Sequence, residues 1–338
     1  VMPKLPAGTS PVMLGFGVLR ANRKGALQNA VSFIPYALEL NPATGTARAA
    51  LLLTRDGRPS TTPLLPLSDA VLQLARNGAS CLREGKGTDY TLTQQRQQYT
   101  QKFMYDLIDQ ASRDHKEVVV FFDQQGLRAT WDWLNDQNMN PADVNFNKIT
   151  PRPEPHAQMN WPNVSLLRLR GSHAPKGLRS APLTKLKGLD GAGERLAQWH
   201  CDAQLLRLDD TQHPGLTTYF SFGSDLDTTR TRGGSSYRDM EKPDGSVIKR
   251  HVKRWGTPVA LEITVIGPTD PTDAPRHTAD ELATLTEALR YGHAHSPGWT
   301  SLPVPLHFAS LLRQYVPDYN LPDDREEETE EMEGDEQE

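Results

Sequence analysis

The run Glu117-Val118-Val119-Val120-Phe121-Phe122-Asp123 constrains the fold more than any other stretch of this chain. Consecutive β-branched and aromatic residues bounded by acids predict a strand covered on both faces. Such a strand sits inside a sheet flanked by helices, which is α/β architecture. Upstream, residues 31–40 and 48–54 predict two strands joined by the turn Asn41-Pro42-Ala43-Thr44-Gly45. Pro35 marks an edge or a bulge in the first of them. Arg55-Asp56-Gly57-Arg58 predicts a second turn, before a short strand that ends near Leu67. The expected sheet joins strands near 31–40, 47–54, 60–66, 117–123 and 164–170, with strand 117–123 beside strand 31–40. Helices are expected over 93–112, with Phe103, Met104, Leu107 and Ile108 on the buried side, and over 127–134. In that second helix Trp131 and Trp133 are two residues apart, so they cannot both face the core. Residues 171–257 read as a β-rich elaboration on this sheet, and residues 1–28 as a linker or the end of an upstream domain.

Length and composition exclude several classes. With 338 residues, 37% apolar and 23% charged, the chain has enough material for a sizeable core. No apolar run is long enough to span a bilayer, so no membrane association is expected. Cys81 and Cys201, far apart, make neither a disulfide framework nor a metal site, which fits a reducing, cytoplasmic setting. The net charge of −5 is unevenly distributed. Residues 323–338 hold eleven acids and one arginine, which is −10, and the remainder therefore carries +5. The acidic block at 321–338 reads as a solvated, disordered tail, or alternatively as a mimic of nucleic acid lying in a basic groove. Since it begins at Val1, the chain reads as the C-terminal part of a longer protein.

The C-terminal third carries the most specific pattern. Strand 258–266 is followed by Thr278-Ala279-Asp280-Glu281-Leu282, whose acids suit the positive end of a helix, and Leu282, Leu285 and Leu289 give that helix a buried face. Next come a connector, the proline-spaced Pro303-Val304-Pro305, which reads as a rigid extended link, and an apolar helix containing Phe308-Ala309. This order resembles the end of a PIWI domain, the RNase H-like half of Argonaute proteins, and is most similar to the PIWI-RE group of prokaryotic Argonaute-like proteins. The resemblance implies an RNase H-like mixed sheet with helices on both faces over residues 29–320.

RNase H-type nucleases hold two Mg²⁺ or Mn²⁺ ions among several carboxylates. The resemblance maps its second Asp onto Asp123. With residues 31–40 taken as the first strand, the only acid there is Glu39, and Ser310 follows Phe308-Ala309 where an Asp or His is expected. Glu84 is a candidate for the family's loop glutamate, although nothing in its context identifies it. The expected state is a degenerate site, with Asp123 and Glu39 as catalytic remnants and Asp123 a metal ligand only if the site is active. No cofactor is expected beyond Mg²⁺ or Mn²⁺ in that case.

Basic residues supply the binding expectation. Lys249, Arg250, Lys253 and Arg254, with Arg230 and Arg232 just before them, are placed to follow a phosphate backbone. The competing reading is a solvated strand face and loop. The resemblance places the connector with Arg290, His293 and His295 facing the guide 5′ end, with histidines where family members often carry arginine, and counts Arg313 with them as a binding candidate. Glu287, Arg290 and Arg313 read either as an ion pair locking the C-terminal helices or as the Arg and Glu for which the PIWI-RE group is named. Trp131, Trp133, Trp255 and Trp299 are candidates for base stacking, with core or domain packing the commoner fate of a tryptophan. The implied function is binding of a guide–target or R-loop-type duplex in defence against plasmids or phage, without cleavage. A helicase and a separate nuclease are the implied partners. The alternatives are an active metal-dependent guided nuclease and a protein-assembly module.

Overall fold

In the computed structural model the described residues are 10–22, 31–55, 58–77, 82–84, 90–141, 144, 146, 161–172, 205–207, 215–222, 237–241, 247–251, 260–267, 277–291, 300 and 302–316. The backbone clusters into two compact units that interleave along the chain. One comprises Lys4–Arg168, Ile266–Arg276 and Pro305–Glu338, and the other comprises Val1–Pro3, Leu169–Val265 and His277–Val304.

The first unit contains strands β1 (Val12–Asn22), β2 (Val31–Asn41), β3 (Thr46–Arg55), β4 (Arg58–Thr61), β5 (Leu65–Pro66), β6 (Leu82–Glu84) and β7 (Val118–Asp123), and the start of β8 (Val164–Ser172). Its helices are α1 (Leu67–Asn77), α2 (Tyr90–Asp114), α3 (Gln124–Leu127) and most of the C-terminal helix Val304–Leu311. The strand order is β4-β3-β2-β1-β7-β8. β1 pairs antiparallel with β2 and parallel with β7, so the sheet is mixed as expected.

Two expectations are corrected here. Residues 12–22 are not linker but the pivotal strand, and β7 neighbours β1 and β8 rather than residues 31–40. Gly15 and Gly17 interrupt the apolar pattern of this segment, which is why it does not read as a strand. Glycine inside a strand often marks a site where other groups approach closely. A Cβ on Gly15 would come within 2.9 Å of Pro305 Cβ, so the helix Val304–Leu311 packs directly on this position. Pro305 lies in the first turn of that helix, where its missing N–H has no intrahelical partner to lose. It is therefore not part of an extended link.

Phe16 on β1 stacks on Phe122 at 5.7 Å and meets Phe103 of α2 edge-on at 6.2 Å, which seats α2 on this face through the side expected for it. The segment after β7 departs from the expected helix. Only Gln124–Leu127 is α-helical, Trp131 is extended, and a 3₁₀ turn follows at Asp132–Leu134. That bend lets both tryptophans face inward. Trp131 stacks on Trp133 at 5.0 Å and on Phe146 at 4.6 Å, and both tryptophans are buried. They are core, not base-stacking platforms, and Trp131→Ala should cost about 3–5 kcal/mol.

The second unit holds the end of β8, with β9 (Leu205–Arg207), β10 (Leu216–Phe222) and β13 (Ala260–Ile266), in the order β8-β13-β10-β9. A separate hairpin pairs β11 (Tyr237–Glu241) with β12 (Val247–His251). Helix α4 (Ala279–Tyr291) starts in a reciprocal cap: the Thr278 N–H donates to Glu281 Oε2 at 2.8 Å, and the Glu281 N–H to Thr278 Oγ1 at 3.2 Å. With the helix Val304–Leu311 numbered α5, no helix among the described residues is long and apolar enough to cross a membrane.

Candidate functional site

Asp123 is the last residue of β7, half-buried, with its backbone extended. Its Oδ1 accepts the Gln125 N–H at 3.1 Å and so caps α3. Gly126 follows so closely that a Cβ there would lie 2.9 Å from Asp123 Oδ2 and 3.2 Å from the Val18 nitrogen of β1. The carboxyl thus occupies the junction of β7, α3 and β1.

The register shows which residues share its face. Phe16 on β1 aligns with Phe122 on β7, so Gly17 follows on one strand where Asp123 follows on the other. Gly17 in turn lies opposite Tyr36 of β2. Successive residues of a strand alternate faces while register partners share one. Asp123, Gly17 and Tyr36 therefore share a face, and Phe16 and Phe122 share the other. A Cβ built on Gly17 would lie 2.4 Å from the Tyr36 hydroxyl oxygen and 2.6 Å from its Cζ. Tyr36 is buried. Burial pushes its phenol well above the ordinary range, and the negative charge of Asp123 pushes in the same direction.

Glu39 is not a partner of Asp123. It lies opposite Leu14, whose face is that of Phe16, so it points to the other side of the sheet. It is buried there, and the Arg48 guanidinium donates to its Oε1 at 2.6 and 2.9 Å, while His115 Nε2 stands 3.6 Å from Oε2. The expectation that Glu39 is a remnant ligand rested on residues 31–40 being the first strand, and it falls with that assignment. Ser310 is exposed and donates to the His307 carbonyl at 2.6 Å. Among the described residues, no three of His, Cys, Asp and Glu gather into a metal site. Hard divalent cations need several oxygen ligands, and a two-ion site needs shared carboxylates. At the sheet position such a site requires, Asp123 stands beside a glycine covered by a tyrosine ring. These residues do not fit a two-ion centre.

The expected binding residues fall in four groups. Arg230, Arg232, Lys253, Arg254, His293 and His295, with Trp255 and Trp299, lie outside the described residues. Lys249 and Arg250 are on β12, opposite Asp239 and Arg238 of β11. Arg290 is fully buried in α4 and so is not presented to a phosphate. It donates to the Thr300 carbonyl at 2.9 Å and to the Ser221 hydroxyl, and it stands 3.5 Å from Glu287 of the same helix. Ser221 donates to Glu287. Arg313 is exposed on the 3₁₀ turn Leu312–Tyr315, in the first unit.

Sequence reasoning missed Gly17 and Tyr36. The available signal was Gly15-Phe16-Gly17 within an apolar run, which marks close approach of neighbouring groups to a strand.

The parallel β1–β7 pair inside an otherwise antiparallel start, with Asp123 at the end of β7, defines an RNase H-like domain. More particularly, the chain belongs to the family described as the RNaseH domain of pPIWI_RE, whose model matches residues 13–318. None of the curated proteins compared with the chain matches it.

Proposed function

We propose that this chain is an Argonaute-like PIWI module that binds a guide–target or R-loop-type duplex through the phosphate backbone and does not cut it. The observation that carries this reading is the strand beside Asp123: its β1 neighbour is Gly17 rather than an acid, and Glu39 faces the opposite side of the sheet in an ion pair with Arg48. An RNase H-like surface that lacks its ion ligands retains the shape for a duplex and loses the means to polarise a phosphodiester. The excess of +5 outside the acidic block of residues 323–338 supports attraction to phosphate. Membership of a PIWI family supports a cytoplasmic role in defence against plasmids or phage, with a helicase and a separate nuclease supplying the enzymology. The test is to purify the protein from cells and sequence the nucleic acid that accompanies it. Recovery of a defined population of short strands supports the reading. Recovery of none, with no salt-sensitive retention of a duplex, favours a protein-assembly module.

A further inference from the structure

We propose that Tyr36 is an occluding residue: its ring fills the place that a strand-one metal ligand would take beside Asp123, and this closes the site to divalent cations. The inference deepens the reading of a duplex-binding, non-cleaving module and rests on it for its setting.

Three observations converge on Tyr36. Gly17 is the β1 residue that continues alongside Asp123, so a carboxylate able to share an ion with Asp123 would have to start from the Gly17 Cβ. That Cβ position lies 2.4 Å from the Tyr36 hydroxyl and 2.6 Å from Cζ, far inside contact distance. Tyr36 is buried and its backbone is held in register with Gly17 on β1 and Leu51 on β3, so any swing of the ring has to displace the groups packed around it. A tyrosine lying over a glycine on the neighbouring strand also covers backbone that would otherwise be bare, so the pair stabilises the sheet while it shuts the site. On this account the site is blocked as well as short of metal-ligating residues among those described. Restoring the missing carboxylate alone does not reopen it.

The experiment follows Mn²⁺ binding by electron paramagnetic resonance on the full chain. The proteins are the parent, Asp123→Asn, Gly17→Asp, Tyr36→Leu, and the double variant Gly17→Asp with Tyr36→Leu. The expected result is that the parent and Gly17→Asp bind Mn²⁺ no better than Asp123→Asn. The double variant should bind about tenfold tighter or better, since two carboxylates then share the ion. That gain should vanish when Asp123→Asn is added. Mn²⁺ binding by the parent that Asp123→Asn abolishes overturns the proposal. So does binding by Gly17→Asp equal to that of the double variant, or a double variant no tighter than the parent. Should Gly17→Asp fail to fold, a thermal-melting cycle with Gly17→Ala and Tyr36→Leu decides. Gly17→Ala should lower the melting temperature of the parent and lower it much less in the Tyr36→Leu background. Equal shifts in both backgrounds overturn the steric claim. Salt-dependent retention of a duplex is measured on the same samples. Its loss in the parent refutes the duplex-binding reading and leaves the Mn²⁺ outcomes to judge Tyr36 separately.

Discussion

The end of β7 in the first unit and the α4–β10 contact in the second both place carboxylates against a sheet, but they use them in opposite ways. In the second unit every acid of α4 has a donor from the same unit. Asp280 accepts from Tyr219 and stands 3.3 Å from an Arg207 nitrogen. Glu281 closes the cap with Thr278, and Glu287 accepts from Ser221 with Arg290 alongside. Arg170 and Glu262 form a further part-buried pair between strands of that unit. In the first unit Asp123 is set among a glycine, a buried phenol and backbone, while the other strand acid the sequence singled out, Glu39, is neutralised by Arg48 on the far face. A carboxylate matched to an arginine is a lock, whereas a metal centre needs carboxylates matched to one another. This chain builds several locks and, among the described residues at the position where its family fold implies ions, no such gathering of acids.

The largest predicted effect breaks a lock. Arg290→Met removes the cation beside buried Glu287 and should cost about 3–5 kcal/mol in urea unfolding. Replacing both, Glu287→Leu with Arg290→Met, should recover much of that loss, because no charge is then left buried. A double variant as unstable as the single one would show that the pair is not the source of the stability.

At the candidate site the expected effects are smaller and steric. Gly17→Ala should destabilise by about 1–3 kcal/mol through overpacking against Tyr36. An unchanged unfolding midpoint would remove the contrast between the two regions at its sharpest point.

The sequence disclosed the parts of the fold that depend on repeated local pattern. The apolar β7 run, the buried face of α2 and the acids opening α4 all stand where periodicity and capping put them. It concealed β1, because Gly15 and Gly17 are required by Pro305 and Tyr36, residues distant in sequence. It also concealed the bend at Trp131, where packing against Phe146 and Trp133 overrides helical spacing. At the site Asp123 was legible and the glycine beside it on β1 was not, since face and register depend on knowing which strand comes first. Burial of Arg290 was equally hidden, because a basic residue in the last turn of a helix reads the same from sequence whether it faces solvent or a buried Ser221.

Alkaline pH probes both regions at once. An unfolded tyrosine loses its proton near pH 10. In the folded chain burial raises the pKa of Tyr36 and of Tyr219, with the charge of Asp123 adding at Tyr36 and the hydrogen bond to Asp280 adding at Tyr219. Folded-state pKa values above the unfolded value mean that this stability is fully present below about pH 10 and is lost as pH rises beyond it, at about 1.4 kcal/mol per pH unit for each tyrosine. Tyr36→Phe and Tyr219→Phe should each flatten the decline of stability above pH 10. A decline as steep as that of the parent would mean that these phenols titrate freely in the folded state.

The smallest effect separates capping from catalysis. Asp123→Ala should cost about 1 kcal/mol through loss of the α3 cap, and Asp123→Asn much less, since an amide oxygen caps as well. Neither should change the fate of a bound nucleic acid.

The central claim is binding without cleavage, and one measurement addresses it directly. The purified full chain is incubated with an end-labelled RNA–DNA duplex in Mg²⁺ or Mn²⁺ across a salt titration, with retention and strand length read from the same samples. The account predicts that the duplex is retained at low salt, released steeply as salt rises, and intact throughout. Shortened strands whose appearance requires Asp123 would contradict it.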